Sequence, residues 1–175
     1  MDTIDLLTRA KAIRLAIFDV DGVLTDGRLY LLPDGSEFKT FHTLDGQGIK
    51  MLIRSGVTTA IISGRHSTAV AQRATALGIH HLYLGHEDKL IVLDELLHKL
   101  QLSPEQVAHL GDDLPDLPII RRVGLGIAVA NADAFVRQHA HGVTQARGGE
   151  GAAREYCELI MRAQGTLNAA QAAYL

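Results

Sequence analysis

The strongest constraint on this chain is its strict alternation of short apolar runs with helix-length segments, because each strand-helix-strand step requires a right-handed crossover, and crossovers build a parallel sheet. Arg14–Val20 contains the contiguous apolar residues Leu15, Ala16, Ile17 and Phe18 and reads as a buried strand. It is followed by helix Gly48–Arg54 stopped near Gly56, strand Val57–Ser63, helix Ser67–Leu77 stopped by Gly78, strand His81–Leu84 and helix Lys89–Leu100. Ser103-Pro104-Glu105-Gln106 has a capping-box pattern with proline at the first helical position, introducing a short turn before strand Val107–Leu110. Helix Pro115–Arg122, strand Gly126–Ala130, helix Ala132–His139, a strand at Val143 and helix Ala152–Gln164 complete the series. A short amphipathic helix opens the chain. Leu29–Leu32 and Glu37–His42 flank the turn sequence Pro33-Asp34-Gly35-Ser36 and predict an inserted β-hairpin, at about 28–42.

The expected fold class is therefore α/β, a Rossmann-like parallel sheet with helices on both faces. A chain of 175 residues, 47% apolar and 21% charged, accommodates one domain with a full core. No apolar run approaches the ~20 residues that cross a bilayer, and Asp2 and Asp5 stand where a secretory leader would be basic, so a cytoplasmic location is expected. Cys157 is the single cysteine, which excludes an intramolecular disulfide and a thiolate zinc cluster; it is expected in the core. A formal charge of -3 without a dense Lys/Arg run argues against nucleic acid and membrane partners and for a small-molecule one.

Parallel sheets bind ligands beyond the carboxyl ends of their strands. The polar residues with chemical potential fall there: Asp19 and Asp21 after the first strand, Ser63 and Arg65 after the second, Asp112 and Asp113 after Val107–Leu110. An isolated Asp19-Val20-Asp21-Gly22 would most simply be an acidic loop. A second acidic stretch, Gly111-Asp112-Asp113-Leu114-Pro115-Asp116, changes that reading, since carboxylates gathered from separate strand ends suit magnesium. Ser63-Gly64-Arg65 supplies a hydroxyl, a turn and a guanidinium for an anion, and Lys89 opens a helix from which its ammonium can reach the same face.

In order and spacing, Asp19-Val20-Asp21-Gly22, Ser63, Lys89 and Asp112-Asp113 with Asp116 resemble the four motifs of the haloacid dehalogenase superfamily. The resemblance implies a phosphatase in which Asp19 attacks phosphorus and Asp21 serves as acid and then base. It further implies that Mg2+ is bound by the Asp19 and Asp112 carboxylates and the Asp21 backbone carbonyl, and that Ser63 and Lys89 hold phosphoryl oxygens. Asp113 and Asp116 would orient Asp112 or water. Thr25-Asp26-Gly27 with the hairpin, Thr43-Leu44-Asp45-Gly46-Gln47-Gly48 and Gly148-Gly149-Glu150-Gly151-Ala152-Ala153-Arg154-Glu155 are similar to the 3-deoxy-D-manno-octulosonate 8-phosphate phosphatases of lipopolysaccharide synthesis. That likeness implies a phosphorylated sugar acid as substrate, no cap domain, and a homotetramer whose hairpins and C-terminal tails (about 165–175) contact neighbouring subunits. Its substrate contacts would be Asp21, His42, Thr43, Leu44, Asp45, Gly46, Lys50, Arg65, Arg73 and Lys89. Arg73 lies eight residues beyond Arg65, which puts the two on nearly the same face if the helix is continuous through both, with a solvated surface arginine as the plainer alternative. Asp26 could equally cap the hairpin, and Ala169–Leu175 reads as a flexible or frayed tail.

Three other functions compete. A nine-carbon, sialic-acid-type sugar acid 9-phosphate would require the same phosphatase chemistry. A receiver-type phosphoacceptor module shares the acidic, hydroxyl and lysine residues but lacks an acid two residues beyond the acceptor, the place Asp21 occupies. An inert scaffold is disfavoured by the presence of every motif residue.

Overall fold

The computed structural model describes residues 3–175. Its sheet is built on β1 (Leu15–Phe18), four buried residues with parallel partners on both sides: β4 (Thr58–Ser63) and β6 (Val107–Gly111). Outside these lie β5 (His81–Leu84) on one edge, and β7 (Leu125–Ala128) and β8 (Gly142–Val143) on the other. The order β5-β4-β1-β6-β7-β8 is parallel throughout. The chain moves outward from β1 through β4 to β5, then crosses back to β6 and leaves the other way. The reversal falls at β1, so the loops after β1, β4 and β6 diverge around one crevice.

Among the described residues eight helices cover the sheet: α1 (Thr3–Lys11), α2 (Thr43–Arg54), α3 (Thr68–Leu77), α4 (Lys89–Leu100), α5 (Leu117–Arg122), α6 (Ala134–His139), α7 (Ala152–Ala163) and α8 (Leu167–Ala172). Period-2 alternation within the buried strands divides the core. Ala16, Phe18 and Ile61 join Ile49 and Leu52 of α2 and Tyr156 and Ile160 of α7. Leu15, Ile17, Ala60, Ile62 and Val107 face the opposite way, onto Val92, Leu93 and Leu96 of α4 and Ile119 of α5. Tyr156 meets Phe18 edge-on at 5.3 Å, and Cys157 is buried beside it, as expected from sequence.

The hairpin is a separate ribbon of β2 (Tyr30–Leu31) and β3 (Glu37–Phe38), shorter than expected and pinned by stacked Tyr30 and Phe38 rings 4.9 Å apart. Asp26 anchors its base, accepting from the Arg28 N–H at 3.0 Å and the Tyr30 hydroxyl at 2.7 Å.

Three expectations need correction. Helix α2 begins at Thr43, not Gly48: His42 caps it, and Gly46, which fell before the expected helix start, lies within it. A Cβ at Gly48 would come within 2.8 Å of Arg154 Cδ, so glycine here lets α2 and α7 approach closely. Arg65 and Arg73 do not share a helix, because Ser67 caps α3 and Arg65 stays in the preceding loop. The C-terminal tail is not frayed: α8 packs back on this chain, with Gln47 and Arg54 of α2 donating to the Tyr174 hydroxyl.

Candidate active site

The loop after β1 is bound tightly to the sheet. The Asp19 N–H donates to the Leu110 carbonyl at 3.0 Å, carrying the ladder one residue past the strand, and the Val20 carbonyl accepts from Leu24 at 2.9 Å and Thr25 at 3.0 Å. Thr25 Oγ1 receives the Gly22 and Gly27 N–H groups at 3.3 and 3.2 Å. At Gly22 φ is +88°, and a Cβ there would lie 2.0 Å from Asp112 Oδ2, so only glycine allows the two acidic loops to meet. Gly148 closes the loop from behind, where a Cβ would lie 1.7 Å from the Gly22 carbonyl oxygen.

Asp19, Asp112 and Asp116 each bring a carboxylate oxygen within 4.8 Å of the others. Lys89, the first residue of α4, sends its ammonium between them, 2.6 Å from Asp19 Oδ1 and 2.6 Å from Asp116 Oδ1. Asp116 is fully engaged: Oδ1 also meets His109 Nε2 at 3.0 Å, and Oδ2 accepts the Asp112 and Asp113 N–H groups at 3.0 and 3.4 Å. The Asp112 carboxylate accepts no hydrogen bond among the described residues, and the Asp19 carboxylate is held by Lys89 at Oδ1 and approached by the Val20 N–H.

These differences separate the acidities. Burial, with Asp116 close by, pushes the Asp19 carboxyl up to about 7 despite Lys89. Burial, with Asp19 and Asp116 adjacent, pushes Asp112 to about 8. Burial also acts on Asp116, yet its bonds to His109 and Lys89 hold it well below the usual carboxylate range. Burial opposes the charge on Lys89, and Asp19 and Asp116 more than reverse that, raising it. Burial lowers His109, which leaves the imidazole neutral and donating through Nε2.

The cluster fits a divalent cation. Two carboxylates 4.8 Å apart repel by roughly 3.5 kcal/mol at an effective dielectric of about 20. Three carboxylates against one ammonium leave two negative charges uncompensated. Asp19 and Asp112 offer hard carboxylate oxygens to the cleft, the chemistry magnesium prefers.

An open cleft of about 640 Å³ lies over this cluster, lined by Asp19, Asp21, Ser63, Arg65, Lys89 and Asp112 among others. Ser63 is buried and its Oγ accepts the Arg65 N–H at 3.3 Å. Arg65 reaches across the mouth to pair with Glu37 of the hairpin. Asp113, exposed, caps the turn Leu114–Asp116 by accepting the Leu114 N–H at 2.8 Å.

The expected substrate residues of α2 lie elsewhere in the chain. Thr43, Gly46 and Lys50 line a separate cleft of about 140 Å³ with Arg73, and no residue is common to the two clefts. Arg73 places its guanidinium over the Phe41 ring at 5.9 Å. His42 Nδ1 accepts the Leu44 N–H at 3.2 Å as the α2 cap, and the Leu44 side chain is exposed. Asp45 is 2% exposed and accepts the Gly151 and Arg154 N–H groups at 3.3 and 2.8 Å, so its carboxylate caps α7 instead of facing a ligand.

Sequence inspection missed His109, Glu37 and Lys39. His109 carried one signal, a polar residue within an apolar strand. Glu37 and Lys39 carried none, because besides each other their partners, Asp21 and Arg65, come from other loops.

A family model described as haloacid dehalogenase-like hydrolase matches residues 82–155. The chain is 50% identical over 166 residues to the 3-deoxy-D-manno-octulosonate 8-phosphate phosphatase of Yersinia pestis, covering 95% of this chain and 89% of that one. Among solved structures it is similar to a probable YrbI family phosphatase from Pseudomonas syringae pv. phaseolica 1448a, with 72% identity, a TM-score of 0.97, and 98% and 97% of the two chains covered. It is also similar to the 3-deoxy-D-manno-octulosonate 8-phosphate phosphatase of Moraxella catarrhalis, solved with magnesium ion, phosphate ion and KDO, with 42% identity, a TM-score of 0.96 and 98% of both chains covered. With its acidic cluster at the switch point of the sheet and these relatives along nearly its whole length, the chain belongs to the 3-deoxy-D-manno-octulosonate 8-phosphate phosphatase family of haloacid dehalogenase-like hydrolases.

Proposed function

We propose that this single-domain chain hydrolyses 3-deoxy-D-manno-octulosonate 8-phosphate to the free sugar acid and phosphate, with Asp19 as nucleophile. The observation that carries the assignment is the Asp19–Lys89–Asp116 contact beside a partner-free Asp112, in a cleft large enough for a sugar phosphate. Magnesium held by the Asp19 and Asp112 carboxylates and the Asp21 carbonyl supplies positive charge to the phosphoryl oxygens. An Asp19 carboxylate oxygen bonds to phosphorus as the ester P–O bond breaks, and Asp21 delivers its proton to the departing sugar oxygen. Water then attacks the aspartyl phosphate, Asp21 takes its proton, and the Asp19 carboxylate is released. Lys89 fixes Asp19 in line and, with Ser63, meets the phosphoryl oxygens. Asp116 holds Lys89 and the Asp112 loop in place through its four donors and has no lone pair left to offer a metal. Asp113 stabilises the turn that presents Asp116.

Arg65 stands at the cleft mouth to receive the substrate carboxylate. His42, Thr43, Leu44, Asp45, Gly46, Lys50 and Arg73 line or support a different cleft, and we assign them to substrate through a neighbouring subunit of a homotetramer, Asp45 by anchoring the α2 start. The exposed apolar hairpin residues Leu29, Leu31, Leu32 and Phe38 support that assembly, with hairpins and tails at its contacts. We place the enzyme in the cytoplasm; no described helix is long and apolar enough to cross a membrane.

The test is phosphate release by purified protein with magnesium across a panel of sugar acid phosphates. Efficient turnover of a nine-carbon 9-phosphate with none from the octulosonate 8-phosphate overturns the substrate assignment. Asp19→Asn is expected to be inactive and Asp21→Asn slow; wild-type release by either removes its assigned role.

A further inference from the structure

Lys39 stands just past β3 on the surface hairpin, yet its side chain is only 3% exposed. A buried ammonium requires partners. It finds two: Asp21 Oδ1, and Glu37 Oε1 at 3.0 Å. Glu37 pairs through its other oxygen with Arg65, whose Nε lies 3.9 Å from Asp21 Oδ2. Two cations and two anions from three separate loops thus close into a ring that ties the hairpin to the loops after β1 and β4. Asp21 accepts no other side-chain hydrogen bond among the described residues. Neither Lys39 nor Glu37 lines the cleft, whereas Asp21 and Arg65 do.

We infer that Lys39 is a positioning residue that holds the Asp21 carboxyl in the geometry for proton transfer to and from the reacting oxygen, with Glu37 locking Lys39 in place. An ammonium only donates, so it occupies Oδ1 as an acceptor and leaves Oδ2, which Arg65 Nε approaches only to 3.9 Å, beyond hydrogen-bond distance, to carry the transferable proton. In a capless enzyme the hairpin thereby performs a catalytic task on its own chain, separate from any contact it makes with another subunit. This inference rests on Asp21 acting as the acid, and the experiment tests the two ideas separately.

The experiment measures kcat/KM, which reports steps through phosphoryl transfer, for the sugar acid phosphate, phenyl phosphate and p-nitrophenyl phosphate, in order of increasingly good leaving groups. Lys39→Met is expected to lose about 10- to 100-fold on the sugar ester, as expected for a misplaced general acid, and little on p-nitrophenyl phosphate, which departs without protonation. Lys39→Arg is expected to restore most of the loss, and Glu37→Gln to show the same pattern more weakly. Equal losses on all three esters, with thermal melts unchanged, would mark Lys39 as merely structural and overturn the inference, as would a rise in KM alone. Asp21→Asn is the control. If Asp21→Asn shows the leaving-group pattern and Lys39→Met does not, the role of Lys39 fails and that of Asp21 stands; if Asp21→Asn lacks it, the acid assignment itself is wrong. Should Lys39→Met not fold, Glu37→Gln decides, and equal losses there also overturn the inference.

Discussion

Replacing Asp112 by asparagine should make the metal-free protein more stable and at the same time deprive magnesium of its stabilising effect. In the metal-free fold the Asp112 carboxyl titrates near 8 instead of 3.8, because burial and the neighbouring Asp19 and Asp116 disfavour its charge. A raised carboxyl pKa means that the folded state holds its proton more tightly than the unfolded chain. Stability from this source is fully present below pH 4 and is lost as pH rises toward 8. At 1.36 kcal/mol per pH unit, the displacement from 3.8 to about 8 corresponds to on the order of 5 kcal/mol. Asp19, raised to about 7, acts in the same direction, whereas the depressed Asp116 acts only below pH 4, outside the window measured. Urea unfolding in EDTA from pH 5 to 9, at one fixed protein concentration, should therefore show wild-type stability falling by several kcal/mol, with most of that slope absent in Asp112→Asn. Magnesium at about one hundred times its dissociation constant should restore roughly 2.7 kcal/mol to the wild type and almost nothing to the variant. A wild-type profile that is flat from pH 5 to 9 without metal, or equal stabilisation of both proteins by magnesium, would refute the electrostatic reasoning.

Gly22→Ala places a methyl group against Asp112 at a φ of +88°; calorimetric titration should find magnesium affinity reduced at least about tenfold, and unchanged affinity would show that the loops can part freely. Asp116→Asn leaves the buried Lys89 with one anion, so urea midpoints should report a loss of about 3–5 kcal/mol; a change below about 0.5 kcal/mol would mean that the Asp116 contacts do not stabilise the fold. Asp45→Asn turns an amide N–H₂ toward the α7 N-terminus and should cost about 1–2 kcal/mol by the same measurement, whereas an unaltered midpoint would dismiss the cap.

The core strands were legible because a run such as Leu15–Phe18 leaves few alternatives, and strand β5 and helix α4 match the expected bounds residue for residue. Element ends were less so. The start of α2 was hidden by Gly46, which looks like a breaker until Arg73 and Leu77 of α3 are known to press against it. The spacing of Arg65 and Arg73 would align them only on one continuous helix, and Ser67, where the helix was expected to start, caps α3 between them. The motif aspartates pointed to a metal, but nothing local distinguished Asp116, saturated by four donors, from Asp112, which has none.

Short-range pattern determined the order of strands and helices, the crevice at their carboxyl ends and the acidic chemistry placed there, since each depends on residues within a few positions of one another. Only the tertiary structure decided which carboxylate oxygens remain free, that Lys89 reaches Asp19 seventy positions earlier, that Arg73 and Lys50 belong to a second cleft, and that Lys39 holds Asp21. Those outcomes depend on burial and on distances of a few ångströms between side chains from separate loops, and such distances are defined only after the sheet has brought the loops together.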